Sequence, residues 1–282
     1  MSDHIFKLKD GRNLGYAEYG DPNGTPLFYF HGWPSSRFDG IRIDNVAKTL
    51  NIRVIATDRP GIGISDYKED RTLLDFAYDI EELADKLGFQ KFSVMGVSGG
   101  GPYSAVCAYK LPNRVTASAI VVGLAPTYIK NICNVMAWPN RLSWSNYHRF
   151  PILRILAGYS VFFQAKLGSL DLSKPFLSEL DKKLKRNIRY KSLLEQDRNG
   201  AIQQGPKGII KDLEIYTTPW GFDVKNIKVP VHLWYGKDDK NVSINMGKYY
   251  KQQIPNRTLT VYEGGHFSWI EHTEEILKTL VT

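Results

Sequence analysis

The sequence predicts an α/β fold in which helices cover both faces of a mostly parallel sheet and a helical insertion interrupts the pattern. Three observations carry this. Short β-rich runs alternate with amphipathic runs through residues 1–122. A glycine-rich turn at residues 96–100 joins a strand-like run to a helix-like one. The strand pattern vanishes between about residue 125 and residue 212 and returns after Pro230.

Each element has a local reason. Residues 5–19 alternate about the turn pair Asp10-Gly11 and read as a hairpin. Residues 27–30 form a buried strand ending at His31-Gly32, and residues 52–57 another ending at Asp58-Arg59-Pro60-Gly61. From 72 to 87, Leu73, Phe76, Ile80, Leu83, Ala84 and Leu87 fall on one helical face, and Gly88 stops the helix. Residues 92–96 are the central strand, 99 to about 110 a small-residue helix, and 117–122 a further strand. Later, 231–235 and 258–262 read as strands, and 245–253 and 269–281 as helices. Residues 1–124 and 213–282 therefore form the core domain. Residues 125–212, rich in Trp, Tyr, Phe and Leu mixed with basic residues, form a helical cap. The cap is placed over the carboxyl ends of the strands, where open α/β sheets bind ligands.

Composition narrows the class. A chain of 282 residues can bury one large core. No apolar run approaches the ~18 residues of a membrane span, so no stable membrane insertion is expected. The polar start MSDHIFKLKDGRN lacks an apolar signal core. Cys107 and Cys133 are too few for a disulfide framework and point to reduced thiols in a cytoplasmic protein. The net charge is +8, and its location is uneven. Residues 141–211 hold 14 Lys/Arg against 5 Asp/Glu, so this stretch contains essentially the whole excess. Two readings stand: a solvated helical face, or recognition of anionic substrates or an anionic membrane surface. Nucleic-acid binding is not expected, because no recognised motif accompanies the charge. The oligomeric state is left open.

The chemistry centres on Gly96-Val97-Ser98-Gly99-Gly100. G-x-S-x-G between a strand and a helix is a nucleophile turn: a strained backbone lifts the Ser98 hydroxyl above the sheet at a helix start. A serine hydroxyl is a weak nucleophile, so it needs a base, and the base needs an orienting acid. In this setting the partners follow in the order serine, acid, histidine. Among His4, His31, His148, His232, His266 and His272, only His266 follows a late strand through a two-glycine loop, Gly264-Gly265. The acid belongs after the strand 231–235, where Asp238 and Asp239 both stand. The oxyanion of acyl transfer needs backbone donors. The candidates are Gly99 N–H and, from the loop His31-Gly32-Trp33-Pro34-Ser35-Ser36, Trp33 N–H. His31 is expected to tie that loop in place. No metal or cofactor is required.

These landmarks together resemble the α/β-hydrolase family across nearly the whole chain: His31-Gly32-Trp33-Pro34, the run from Asp58 to Ser65 (D-R-P-G-x-G-x-S), the Ser98 turn, the Asp239 loop and Gly265-His266-Phe267. The subgroup resembled is the capped hydrolases that include proline iminopeptidases and carboxylesterases. The family pattern G-x-x-D-x-x-V-P, laid on residues 236–243, selects Asp239, with Ser243 replacing the proline. Some relatives place the acid after the strand 117–122, but Gly123-Leu124-Ala125-Pro126 contains no carboxylate. Iminopeptidases of the family carry H-G-G-P-G, and Trp33 and Ser35 depart from it. Ser98 also departs from the aspartate used by dehalogenases and epoxide hydrolases. The resemblance implies a serine hydrolase of a small carboxylic ester or amide. It leaves open a C–C bond hydrolase, a cofactor-free perhydrolase, and a ligand receptor that keeps the triad. Trp33, Trp138, Trp144, Tyr147, Phe150, Phe162 and Phe163 are expected to line its substrate pocket.

Overall fold

The computed structural model describes residues 3–167, 177–186 and 188–281. The Asp10-Gly11 turn joins β1 (Asp3–Lys7) to β2 (Asn13–Gly20), which pair antiparallel. β2 also runs antiparallel to β4 (Ile52–Thr57). The remaining pairings are parallel: β3 (Thr25–Phe30) with β4 and with β5 (Phe92–Val97), β5 with β6 (Val115–Val121), β6 with β7 (Val231–Gly236), and β7 with β8 (Arg257–Tyr262). The sheet order is β1-β2-β4-β3-β5-β6-β7-β8. The order reverses at β3: the chain steps one way to β4 and returns to lay β5 on the other side. Open parallel sheets leave a crevice beyond the carboxyl ends at such a point. His31-Gly32 and Ser98 are the residues that leave β3 and β5 there.

Side-chain alternation builds two core layers. Phe28, Phe30, Ile55 and Val94 face α2 (Leu73–Lys86), α3 (Gly101–Lys110) and α9 (Ile244–Gln253). Leu27, Tyr29, Val54 and Met95 face α1 (Asp44–Thr49) and α10 (Thr273–Lys278). Burying a Phe such as Phe28 contributes on the order of 2–3 kcal/mol. With both faces covered, the central strands read as unbroken apolar runs. α2 starts on a reciprocal cap, with Asp75 N–H donating to Thr72 Oγ1 and Thr72 N–H to Asp75 Oδ2.

Three boundaries differ from expectation. A 3-10 turn (Arg37–Ile43) and α1 occupy an interval with no expected element; both are too short to show a helical period. The closing helix expected over 269–281 is a 3-10 turn (Ser268–His272) followed by α10. Ser268 Oγ accepts from Gly265 N–H and donates to Asp181, which ties the first turn to the preceding loop. Between β6 and β7 lie α4 (Trp138–Asn146), α5 (Pro151–Leu167), α6 (Glu179–Arg186), α7 (Ile188–Ala201) and α8 (Lys207–Thr217). Residue 212, the expected end of the insertion, falls inside α8. That helix continues because Ile209, Leu213 and Tyr216 bury one face, and it stops before Pro219. No helix among the described residues is long and apolar enough to cross a membrane.

Candidate active site

Ser98 leaves β5 with φ +53°, a left-handed conformation that a side-chain-bearing residue rarely adopts. The neighbouring glycines are there for space. A Cβ on Gly96 would overlap the Gly100 carbonyl, and one on Gly100 would overlap the Phe30 carbonyl. The tight turn sets Ser98 over the crevice, three residues before α3 begins.

His266 reaches Ser98 from the loop after β8. Its Nε2 is 3.1 Å from Ser98 Oγ, and its Nδ1 is 2.7 Å from Asp239 Oδ2. Asp239 is buried, and its other oxygen accepts the N–H groups of Asn241 (2.7 Å) and Val242 (3.0 Å). Those bonds lock the carboxylate in one orientation. Asp238 is exposed, and of the two candidate acids it is Asp239 that bonds His266.

The loop after β3 is held by a buried arginine. Arg59 Nη1 donates to the His31 carbonyl (2.6 Å) and Nη2 to the Gly32 carbonyl (2.7 Å). The Gly32 carbonyl shares a peptide plane with the Trp33 N–H, and the two groups of a trans peptide point in opposite directions. Holding one toward Arg59 therefore turns the other away from it. A Cβ built on Gly99 would lie 3.2 Å from Trp33 N, so the two expected donors converge. The Trp33 N–H donates to no other main-chain oxygen among the described residues. His31 is fully buried, with Nδ1 donating to the Gly32 carbonyl at 2.9 Å. Burial, reinforced by Arg59, pushes its pKa well below the ordinary histidine value, which keeps the ring neutral.

Sequence reasoning missed three aspartates, one on each of α6, α7 and α8. Asp181 accepts the N–H groups of His266 and Phe267, each at 2.9 Å, and the Ser268 hydroxyl at 3.0 Å. Asp197 accepts the Ser35 hydroxyl (2.7 Å), the Ser36 N–H (2.8 Å) and the Ser36 hydroxyl (3.0 Å). Burial, with Asp39 beside it, pushes the Asp197 carboxyl up to about 7. Asp212 pairs with Arg59 at 2.8 Å and with Arg71, and accepts the Tyr103 hydroxyl at 2.9 Å. Burial alone would raise its pKa; Arg59 and Arg71 outweigh burial and hold the carboxyl below the usual range. Each aspartate thus grips a core segment that carries or supports a candidate site residue.

A cavity of about 490 Å³ opens over Ser98 and His266. Its walls include Trp33, Leu124, Trp144, Val161, Ala165 and Val242. Trp33 and Trp144 meet edge to face at 6.0 Å, and the Trp33 indole donates to the Ile209 carbonyl at 3.0 Å. Trp138, Tyr147, Phe150, Phe162 and Phe163, expected in this pocket, do not line it. On α5 the face turned inward holds Val161, Gln164 and Ala165, which leaves Phe163 turned outward and 51% exposed. Trp138 and Phe150 are also exposed, and Tyr147 packs on Trp144 at 5.5 Å.

The comparisons with known proteins agree with this architecture. The model of the alpha/beta hydrolase fold family matches residues 25–273. A non-heme chloroperoxidase of Streptomyces lividans is 32% identical over 95% of this chain and 94% of its own length. A bifunctional esterase/perhydrolase of Acinetobacter calcoaceticus is 26% identical over 91% of this chain and 90% of its own. The crystal structure of a bromoperoxidase from Bacillus anthracis superposes with a TM-score of 0.71 at 20% identity, covering 99% of this chain and 98% of that one. The matched residues run from β3 to the first residue of α10 and include the Ser98 turn and both segments that meet it, so the chain belongs to the α/β-hydrolase fold family and is an enzyme of that superfamily.

Proposed function

We propose that the chain is a serine hydrolase that cleaves a small carboxylic ester, and by the same route an amide, through an acyl-enzyme. The observation that carries the reading is the unbroken relay from Asp239 through His266 to Ser98 at the cavity. Ser98 Oγ attacks the acyl carbon while His266 Nε2 takes its proton. The oxyanion that forms is held by the N–H groups of Trp33 and Gly99; a single such donor contributes about 3 kcal/mol. Collapse breaks the bond to the leaving alcohol, which takes the proton from His266. A water molecule then gives a proton to His266 and attacks the acyl carbon, releasing the acid and restoring Ser98. Asp239 holds the His266 tautomer and offsets its transient charge.

The helices between β6 and β7 act in this reading as a cap that selects the substrate. Support comes from α4, α5 and α7, which contribute Trp144, Val161, Ala165 and Leu194 to the wall of the same cavity. A cytoplasmic setting accords with two buried free thiols, Cys107 and Cys133.

The test is a series of p-nitrophenyl esters of rising acyl length, assayed with wild type and Ser98→Ala. Wild type is expected to turn over the short members, and Ser98→Ala to lose on the order of 10⁶ in kcat while staying folded. Retained turnover in folded Ser98→Ala overturns the mechanism. A second reading is favoured by the perhydrolase and chloroperoxidase relatives. Hydrogen peroxide would replace water in attacking the acyl-enzyme and leave with the acyl group as a peracid. Peracid formation from a carboxylic ester plus peroxide, lost in Ser98→Ala, identifies it.

A further inference from the structure

α5 is apolar on the side where a surface helix is ordinarily polar. Ile152, Ile155, Leu156, Tyr159, Phe163 and Leu167 recur at intervals of three or four and share one stripe about a third of the circumference wide. All six are exposed, Leu156 to 60% and Leu167 to 75%. The opposite side is already engaged. Gly158 packs on Ile210, and Val161, Gln164 and Ala165 face the cavity. The outward stripe therefore serves no packing role among the described residues.

This is not scattered surface hydrophobicity. Sixteen large apolar side chains are exposed among the described residues, and eleven of them lie between Val135 and Leu167. A concentration of that kind marks an interaction surface. Charge identifies the partner. Residues 125–170 contain Lys130, Arg141, Arg149, Arg154 and Lys166 and not one aspartate or glutamate. Lys130, Arg141, Arg149 and Lys166 are exposed.

We infer that the outer face of α5, with the exposed basic residues of α4 and the turn after it, docks the protein on an anionic lipid surface. An apolar stripe flanked by cations is the pattern of a helix that lies in the plane of the headgroups. A second copy is the poorer fit, because two such faces would meet with like charges on both sides. The 17-residue helix lies along the surface and does not span it. Docking sets the bilayer against the outside of the helix whose inside walls the cavity over Ser98.

The experiment is vesicle co-sedimentation of the full-length protein, on pure phosphatidylcholine and on equimolar phosphatidylcholine and phosphatidylglycerol, at low and high salt. Partition onto the anionic vesicles is expected to exceed that onto neutral ones by about tenfold or more and to fall as salt rises. Leu156→Glu with Phe163→Glu, and separately Arg149→Glu with Lys166→Glu, are each expected to lower partition about tenfold while melting temperature stays within a degree or two. Trp138 is 67% exposed on α4, so wild-type emission should shift to the blue on anionic vesicles, a reading that needs no variant. Equal partition onto the two vesicle types, or none onto the anionic ones at low salt, overturns the proposal. So does a dimer, seen by light scattering in protein that ignores vesicles, that Leu156→Glu dissolves; the occupant of the stripe would then be a second copy.

Discussion

The helices between β6 and β7 divide into two halves that use charge in opposite ways. α6, α7 and α8 each send one aspartate inward, and each aspartate is consumed by the core: Asp181 by the His266 loop, Asp197 by Ser35 and Ser36, Asp212 by Arg59 and Arg71. α4 and α5 contain no carboxylate at all and expose apolar side chains. A buried carboxylate is costly unless its oxygens are satisfied, so its presence marks a place where the segment is tied down. The difference teaches that one half is fastened by carboxylates to the loops of the candidate site, while the other walls the cavity with its inner side and leaves an apolar outer side uncovered.

The comparison can be broken most severely at Asp212. Asp212→Ala leaves two buried guanidinium groups without their shared partner, and the expected loss is about 3–5 kcal/mol of stability in chemical denaturation. A loss under 1 kcal/mol would mean that the fastening is weak. Next is Asp181→Ala. Its removal frees the backbone of His266 and Phe267, and the expected effect is a fall in ester kcat of about tenfold to a hundredfold with KM little changed. Asp181→Asn, which keeps one accepting oxygen, should recover part of it. An equal rise in KM would instead assign Asp181 to substrate binding.

Asp197 sharpens the comparison through pH. Its carboxyl is raised to about 7 when folded, whereas an unfolded aspartate titrates near 4. Between those values the folded chain holds a proton that the unfolded chain has released, so on this account stability falls as pH rises from about 4 to about 7. Asp197→Asn should flatten that part of the melting-temperature profile; an unchanged slope would remove Asp197 as its source. The smallest effect belongs to the outer half. Ile152→Ser and Leu156→Ser, both at exposed positions, are expected to change stability by no more than about 0.5 kcal/mol.

The sheet was legible because short apolar runs bounded by turn residues, and the glycine requirement of the Ser98 turn, are local properties. β4 runs over 52–57, the residues expected for it. The meeting of Ser98, Asp239 and His266 was readable for a related reason: each residue follows a strand end, and strand ends converge, while the choice of Asp239 over Asp238 came from the family pattern laid on residues 236–243. The pocket lining was not readable. Aromatic content does not give helix phase, and a rotation of one residue separates outward Phe163 from inward Gln164 and Ala165. The aspartates were hidden because their partners lie far away in sequence, 85 residues in the case of Asp181 and His266. A signal was present nonetheless: acids are scarce between 141 and 211, and two of the five, Asp181 and Asp197, are buried.

The three inward carboxylates also set terms for recombination. Exchanging residues 125–217 with those of a relative would transplant part of the cavity wall and, with it, one half of three separate fasteners. A chimera that supplies the helices without acceptors for the His266 backbone, for Ser35 and Ser36, and for Arg59 would fold its sheet around loops with no fixed position. Shuffling libraries built on this scaffold should therefore treat Asp181, Asp197 and Asp212 as the connectors of a plug, kept in register with the socket before any pocket residue is varied.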